Sequence, residues 1–237
     1  MTENYIANHI LAALPLREYR RLLPDLEPFA LVYGDELIPL GTPIKHVYFP
    51  NSGIVSLLTR VDARSSLEVG IVGREGMIGL PLFLGVKKAT NRALVQGSGD
   101  SVRLTAAAFR IGCLLRGRLP SLLQRFTQSL ITQISQSAVC FRFHSADQRL
   151  ARWLLMTSDR MDSNSFILTQ AFLAHMLGVR REAVNKSAVA LHSQGLINYS
   201  RGQITINDRK GLRRAACRCY EIVRSEQLDA EKDGLDI

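Results

Sequence analysis

The segment LTQAFLAHMLGVRREAVNKSAVALHSQGLINYSRGQITI, Leu168 to Ile206, switches its apolar spacing twice, and this constrains the fold more than any other feature. Thr169–Leu177 has helical spacing, Gly178-Val179 interrupts it, and a second helical run opens with Arg180-Arg181-Glu182. Ala174 is expected where the two helices cross, because only a small side chain lets their backbones approach. Gly178 can take the positive φ of a tight turn. Val184 is expected to pack back on the first helix beside Leu173, Leu177 and Val179. Thr169 stands where an N-cap hydroxyl accepts an orphan backbone N–H. Leu196/Ile197 and Ile204/Ile206 then flank Tyr199–Gln203, a strand–turn–strand pattern around Gly202.

Helix, turn, helix and hairpin in this order are the layout of a winged helix-turn-helix, a reader of duplex DNA. The start of its second helix meets base edges, here Arg180, Arg181, Glu182, Asn185 and Lys186. Thr169 and Gln170 on the first helix and Ser200 and Arg201 in the wing complete the expected DNA-contact set. An Arg bonds guanine bidentately and a Glu accepts from the cytosine amino group; one good bidentate pair discriminates by about 1–3 kcal/mol. Charge agrees: the net charge is +9, and residues 144–224 carry thirteen Lys/Arg against six Asp/Glu. A polyanionic partner suits that surplus. The sign reverses over 225–237, which is read as an acidic disordered tail.

The N-terminus lacks the pattern of a signal peptide, and no apolar stretch approaches the roughly 18 residues of a membrane helix. Four cysteines, unevenly placed, fit a reducing cytoplasm. Cys217-x-Cys219 is too close for a CxxC redox pair or a zinc knuckle and is read as helix packing. His9, His46, His144, His175 and His192 are scattered and read as surface or packing residues. No metal site is expected.

Elsewhere, 6–23 reads as short amphipathic helices through Ile10, Leu11, Leu14, Tyr19, Leu22 and Leu23. From Phe29 to Leu104, short Val/Ile/Leu/Tyr runs are cut by glycines; Val47-Tyr48-Phe49, Pro50–Gly53 and Ile54–Leu58 read as strand, turn, strand. Many such strands suggest a jelly-roll barrel. Ser121–Phe143 reads as a long helix with two apolar stripes, Leu123/Phe126/Leu130 and Ile131/Ile134/Ala138/Phe141. Two stripes need two surfaces, the barrel and a second copy of the helix; Leu123, Phe126, Leu130, Ile134, Ala138 and Phe141 are the candidate dimer-helix positions. Asp147–Arg160 reads as an amphipathic helix with Leu150, Ala151, Trp153 and Leu154 inward, and Met161–Phe166 as a polar loop. The fold class is therefore α+β: a barrel over 1–120, a dimerisation helix over 121–146, a winged helix-turn-helix over 147–224 and the tail over 225–237.

HVYFPNSGIVSL (46–57), GREGMIGLPLFLG (73–85), QRLARWLL (148–155) and LTQAFLAHMLGVRREAV (168–184), in this order, resemble the Crp/Fnr family of bacterial transcription regulators, over about 4–224. AACRCY (215–220) is similar to the end of one branch of that family. The resemblance implies a double-stranded β-helix barrel, a homodimer on a palindromic site, and base contacts at Arg181, Glu182 and Lys186; RNA polymerase is a further partner in keeping with that role. Arg180 stands where many members have a capping Ser, and Ala183 where many have a phosphate-binding Thr or Ser. The effector pocket implied falls on Gly76, Ile78, Gly79, Leu80, Thr90, Asn91 and Arg92, with Ile134 and Ser135 on the helix. Leu80 replaces the carboxylate that takes a ribose hydroxyl, and Arg92 reaches the phosphate position only in a shifted register, so cyclic-nucleotide binding is not expected and no cofactor is assigned. The barrel then senses another effector or has lost sensing; the alternative is an effector-independent DNA binder. A cupin-like metalloenzyme is a distant third, since the barrel offers only His46 with Asp62, Glu68 and Glu75. The chain is not expected to be an enzyme.

Overall fold

Short apolar runs and buried caps account for the first half of the chain. The structure is a computed structural model describing residues 7–60, 62, 66–115, 117–200 and 202–232. Helices α1 (His9–Ala12) and α2 (Leu16–Leu22) lead in. Asn8 caps α1 by accepting from Leu11 N–H, and its buried amide donates to the Pro50 and Gly76 carbonyls, tying the N-terminus to the barrel.

Seven strands follow: β1 (Glu27–Leu31), β2 (Glu36–Ile38), β3 (His46–Pro50), β4 (Ile54–Arg60), β5 (Ser66–Val72), β6 (Arg92–Gly97) and β7 (Gly99–Thr105). They form two antiparallel sheets of order β1-β7-β3 and β2-β6-β4-β5. The expected Pro50–Gly53 turn is present, and it carries the chain from one sheet to the other. Gly53 has φ +80°, and a Cβ there would lie 2.6 Å from the Gly97 carbonyl oxygen, so only glycine fits the crossing. The sheets enclose a core that includes Val47, Phe49, Val55, Val72 and Leu104.

Helix α3 (Ala106–Leu114) leads to the long α4 (Leu119–Phe143), which begins two residues before the expected start, with Pro120 in its first turn. The two stripes of α4 separate as their spacing requires. Leu123, Phe126 and Leu130 enter the barrel core, so these three expected dimer positions are filled by the chain's own barrel. Ile131, Ile134 and Ala138 stay exposed and Phe141 half-buried. Phe126 packs over Gly76, where a Cβ would lie 2.1 Å from its ring.

Helix α5 (Ala146–Met161) opens with a capping box between Ser145 and Gln148. Leu150, Ala151, Trp153 and Leu154 are inward as expected, but Arg152 and residues 155–158 are buried too. A helix buried all round lies between two layers, and α5 packs against β4, α7 and α8 at once. Part of the expected polar loop is strand β8 (Ser165–Ile167), because β10 offers it a free edge. Then come α6 (Gln170–Leu177), α7 (Arg181–Ser193), β9 (Ile197–Ser200), β10 (Gln203–Ile206), α8 (Arg209–Ala215) and α9 (Cys219–Lys232). The wing sheet has the order β8-β10-β9. The tail expected to be disordered is helical through Lys232, because α9 packs its buried Tyr220 and Val223 against the module and continues past them. Residues 233–237 lie outside the described residues. Among the described residues, no helix is long and apolar enough to cross a membrane.

Candidate nucleic-acid interface

Thr169 caps α6 by accepting from Phe172 N–H at 3.1 Å. Gly178 ends α6 in the left-handed region, φ 60° and ψ 40°, and its N–H returns to the Ala174 and His175 carbonyls. Val184 is fully buried with Leu173 and Leu177, and Ala174 and Val179 pack against them. That small core sets the angle at which α7 leaves the turn.

Arg180 is the N-cap of α7 but contributes no side-chain hydrogen bond, so the first-turn N–H groups lack the side-chain acceptor that a Ser would bring. They form a site suited to an anion, reinforced by the helix dipole. Arg180, Arg181, Glu182, Asn185 and Lys186 are all exposed. The spacing from 181 and 182 through 185 and 186 puts the last four on one face. Val189 extends this face and is 58% exposed. It was missed by sequence reading because a valine in a helix reads as core; an exposed apolar group on such a face suits a thymine methyl. Gln170 donates to Asn185 Oδ1 at 2.8 Å, orienting both amides across the two helices. Ser200 is exposed at the end of β9, and Gly202 turns the wing with φ +80°. Arg201 lies outside the described residues.

The opposite side of this module is sealed against the barrel. Glu68 on β5 is fully buried and accepts from Trp153 Nε1 of α5 at 2.8 Å, from Gln96 Nε2 of β6 at 2.8 Å, and from the Ser56 hydroxyl of β4. Burying a carboxylate costs several kcal/mol. Three donors to it contribute about 1.5–3 kcal/mol each, so the cluster roughly balances that cost. Burial nonetheless pushes the Glu68 carboxyl above its ordinary range, against the three donors and the Arg152 charge. Arg160 of α5 pairs with Glu75 at 2.6 Å, both nearly inaccessible. His175 Nε2 of α6 meets Ser66 Oγ at 2.6 Å.

The expected effector residues divide. Ile78, Gly79, Leu80, Thr90, Asn91 and Ile134 line a cavity of about 200 Å³ between the barrel and α4. Gly76 lies under Phe126 instead. Arg92 pairs with Glu36 at 3.0 Å, and Ser135 turns to solvent one residue beyond Ile134, so neither reaches the cavity. No charged side chain lines it among the described residues. A second cavity of about 260 Å³, between α1, α4 and α9, holds none of the expected effector residues. A further grouping escaped the sequence: Cys140, His144, Cys217 and Cys219 meet where α4 ends and α9 begins.

Residues 148–215 match the family profile described as the Crp-like helix-turn-helix domain. Residues 148–215 form a Crp-like, DNA-binding helix-turn-helix domain. The fold agrees over most of its length. FixK2 from Bradyrhizobium japonicum is similar with a TM-score of 0.69 at 16% identity, covering 81% of this chain and 98% of that one. The c-di-GMP-responsive global regulator CLP of Xanthomonas campestris is similar with a TM-score of 0.67 at 16% identity, covering 82% and 100%. A CRP/FNR-family regulator from Thermus thermophilus reaches 21% identity with a TM-score of 0.64, covering 80% and 98%. No curated protein matches the sequence significantly. The Crp-like domain begins inside α5, so the helix sealed against the barrel is part of the DNA-binding unit.

Proposed function

We propose that this regulator acts as a homodimer on a palindromic DNA site and that its barrel cavity takes a neutral, largely apolar effector. The observation that carries the first part is the pairing of one exposed polar face on α7 with one exposed apolar stripe on α4, Ile131, Ile134, Ala138, Val139 and Phe143. A two-fold axis along α4 covers the stripe and presents two α7 helices to half-sites about one helical turn apart. Arg181, Glu182 and Lys186 then read bases, with Asn185 and Val189 beside them. Arg180, Thr169, Gln170, Ser200 and Arg201 meet the backbone. The cavity supports the second part: it is lined by apolar groups with Thr90, Asn91 and Thr127, and α4 contributes Leu130, Ile131 and Ile134. An occupant therefore touches the helix that carries the stripe, and it shifts DNA affinity only by binding one arrangement better than another.

Selection of bound sites from random DNA tests the reading, followed by gel-shift titration. Expected are a palindromic consensus and a steep fall of affinity with salt. Equal, weak affinity for every sequence overturns it. Ile134→Asp is expected to dissociate the dimer in analytical ultracentrifugation and to remove palindrome binding with the fold intact. A variant that stays dimeric overturns the α4 seam.

A further inference from the structure

We propose that Cys140, His144, Cys217 and Cys219 bind a single tetrahedral Zn²⁺ ion that ties the end of the long helix to the DNA-binding module. Cys140 lies in the last turn of α4, and His144 follows as the C-cap, its N–H returning to the Cys140 carbonyl. Cys217 precedes α9 and Cys219 begins it. Cys140 Sγ lies 3.5 Å from Cys217 Sγ, and Cys219 Sγ lies 3.6 Å from His144 Nδ1. All four ligand atoms fall within 4.8 Å of one another. A tetrahedral ion with Zn–S near 2.3 Å and Zn–N near 2.0–2.1 Å separates its ligand atoms by about 3.4–3.8 Å. The cluster therefore needs only small rotamer adjustments to close on one ion. An iron–sulfur cluster spreads its thiolates around several irons and needs more room than this.

Two further observations favour a metal over plain packing. The three sulfurs form a buried cluster of their own, apart from the two apolar cores, whereas Cys113 packs against the barrel core. Three thiolates and one Zn²⁺ carry a net charge of −1, and the buried Arg152 guanidinium stands close by, donating to Ser137 one turn before Cys140. A buried cation beside a site of net −1 satisfies charge pairing. Binding converts three thiols to thiolates and releases their three protons to solvent, while His144 ligates as the neutral imidazole.

The place of the site gives it a consequence. α4 carries the exposed stripe, and α9 closes the module that holds α7. Ion binding crosslinks them, so metal occupancy sets how firmly the module is held to the long helix.

The test is Co²⁺ titration of the reduced full-length chain, followed by optical absorption. Expected are one equivalent per chain, thiolate-to-cobalt charge-transfer bands, tetrahedral d–d bands, and displacement by Zn²⁺. Cys217→Ser and Cys219→Ser should each bind at least about tenfold more weakly, and Cys113→Ser should bind as the unaltered chain does. Reduced chain that takes up no Co²⁺, or that gives no thiolate band, overturns the proposal whether or not the variants fold. None of these readouts depends on DNA binding, so this proposal and the function proposed above fail separately.

Discussion

On α7, Arg181, Glu182 and Lys186 hold their charges out in solvent, with no ion pair among the described residues. On the other side of the same module, Glu68, Trp153, Gln96 and Ser56 spend their polar groups on one another, away from water. The difference separates two tasks. A surface that must recognise an outside partner keeps its donors and acceptors uncommitted, and loses only water when it binds. A surface that holds two layers together gathers its donors on one buried carboxylate, because an unpaired polar group there costs about 1–3 kcal/mol, and of these four side chains Gln96 alone keeps a buried oxygen without a partner. The Glu68 cluster is thus a joint between the barrel and α5, and α5 packs directly on α7.

Glu68→Ala is the sharpest way to break this contrast. It strands the Trp153 and Gln96 donors in a buried site and should cost roughly 3 kcal/mol, lowering the Tm in a thermal melt by about 6–12 °C. An unchanged Tm removes the joint. Arg181→Ala should do the reverse: stability stays, and affinity for the selected site falls by about 1–3 kcal/mol, roughly 5–150-fold, with random DNA unaffected. A uniform loss on all sequences makes Arg181 a phosphate contact instead.

Glu68→Gln is subtler. The folded carboxyl titrates above its ordinary value of 4.5. Its favourable contribution is complete below that pH and declines as pH rises towards the folded value, by up to about 1.4 kcal/mol per unit. Denaturant melts between pH 4 and 8 should show this decline in the unaltered chain and a flatter profile in Glu68→Gln, which cannot ionise. Matching profiles contradict a raised carboxyl. The smallest effect is expected for Lys186→Ala, which removes a single ammonium donor: base preference relaxes at one position by about 1 kcal/mol. A loss alike for all sequences, with the slope of log affinity against log salt lower by about one, makes Lys186 a phosphate contact instead.

The helix-turn-helix was legible because its constraints are local: Thr169 caps three residues ahead, Gly178 turns where it stands, and Val184 is placed by helical period. The two stripes of α4 were legible for the same reason. Their destinations were not, since period tells which residues share a face and never what covers it. Leu123, Phe126 and Leu130 went into the barrel, while Ile131, Ile134 and Ala138 were left outside. The effector positions failed at Arg92 and Ser135 because a one-residue step reverses a strand side chain and turns a helical one by about 100°.

The sequence by itself determined the order of barrel, long helix and helix-turn-helix, and which side chains of α7 share a face, because caps, turns and periods act over a few residues. Only the tertiary structure decided that Glu68 and Trp153, 85 residues apart, share a hydrogen bond, and that Cys140 meets Cys217 across 77. Such pairings depend on how distant elements pack. Packing is settled by the burial of whole faces, which no short stretch of sequence contains.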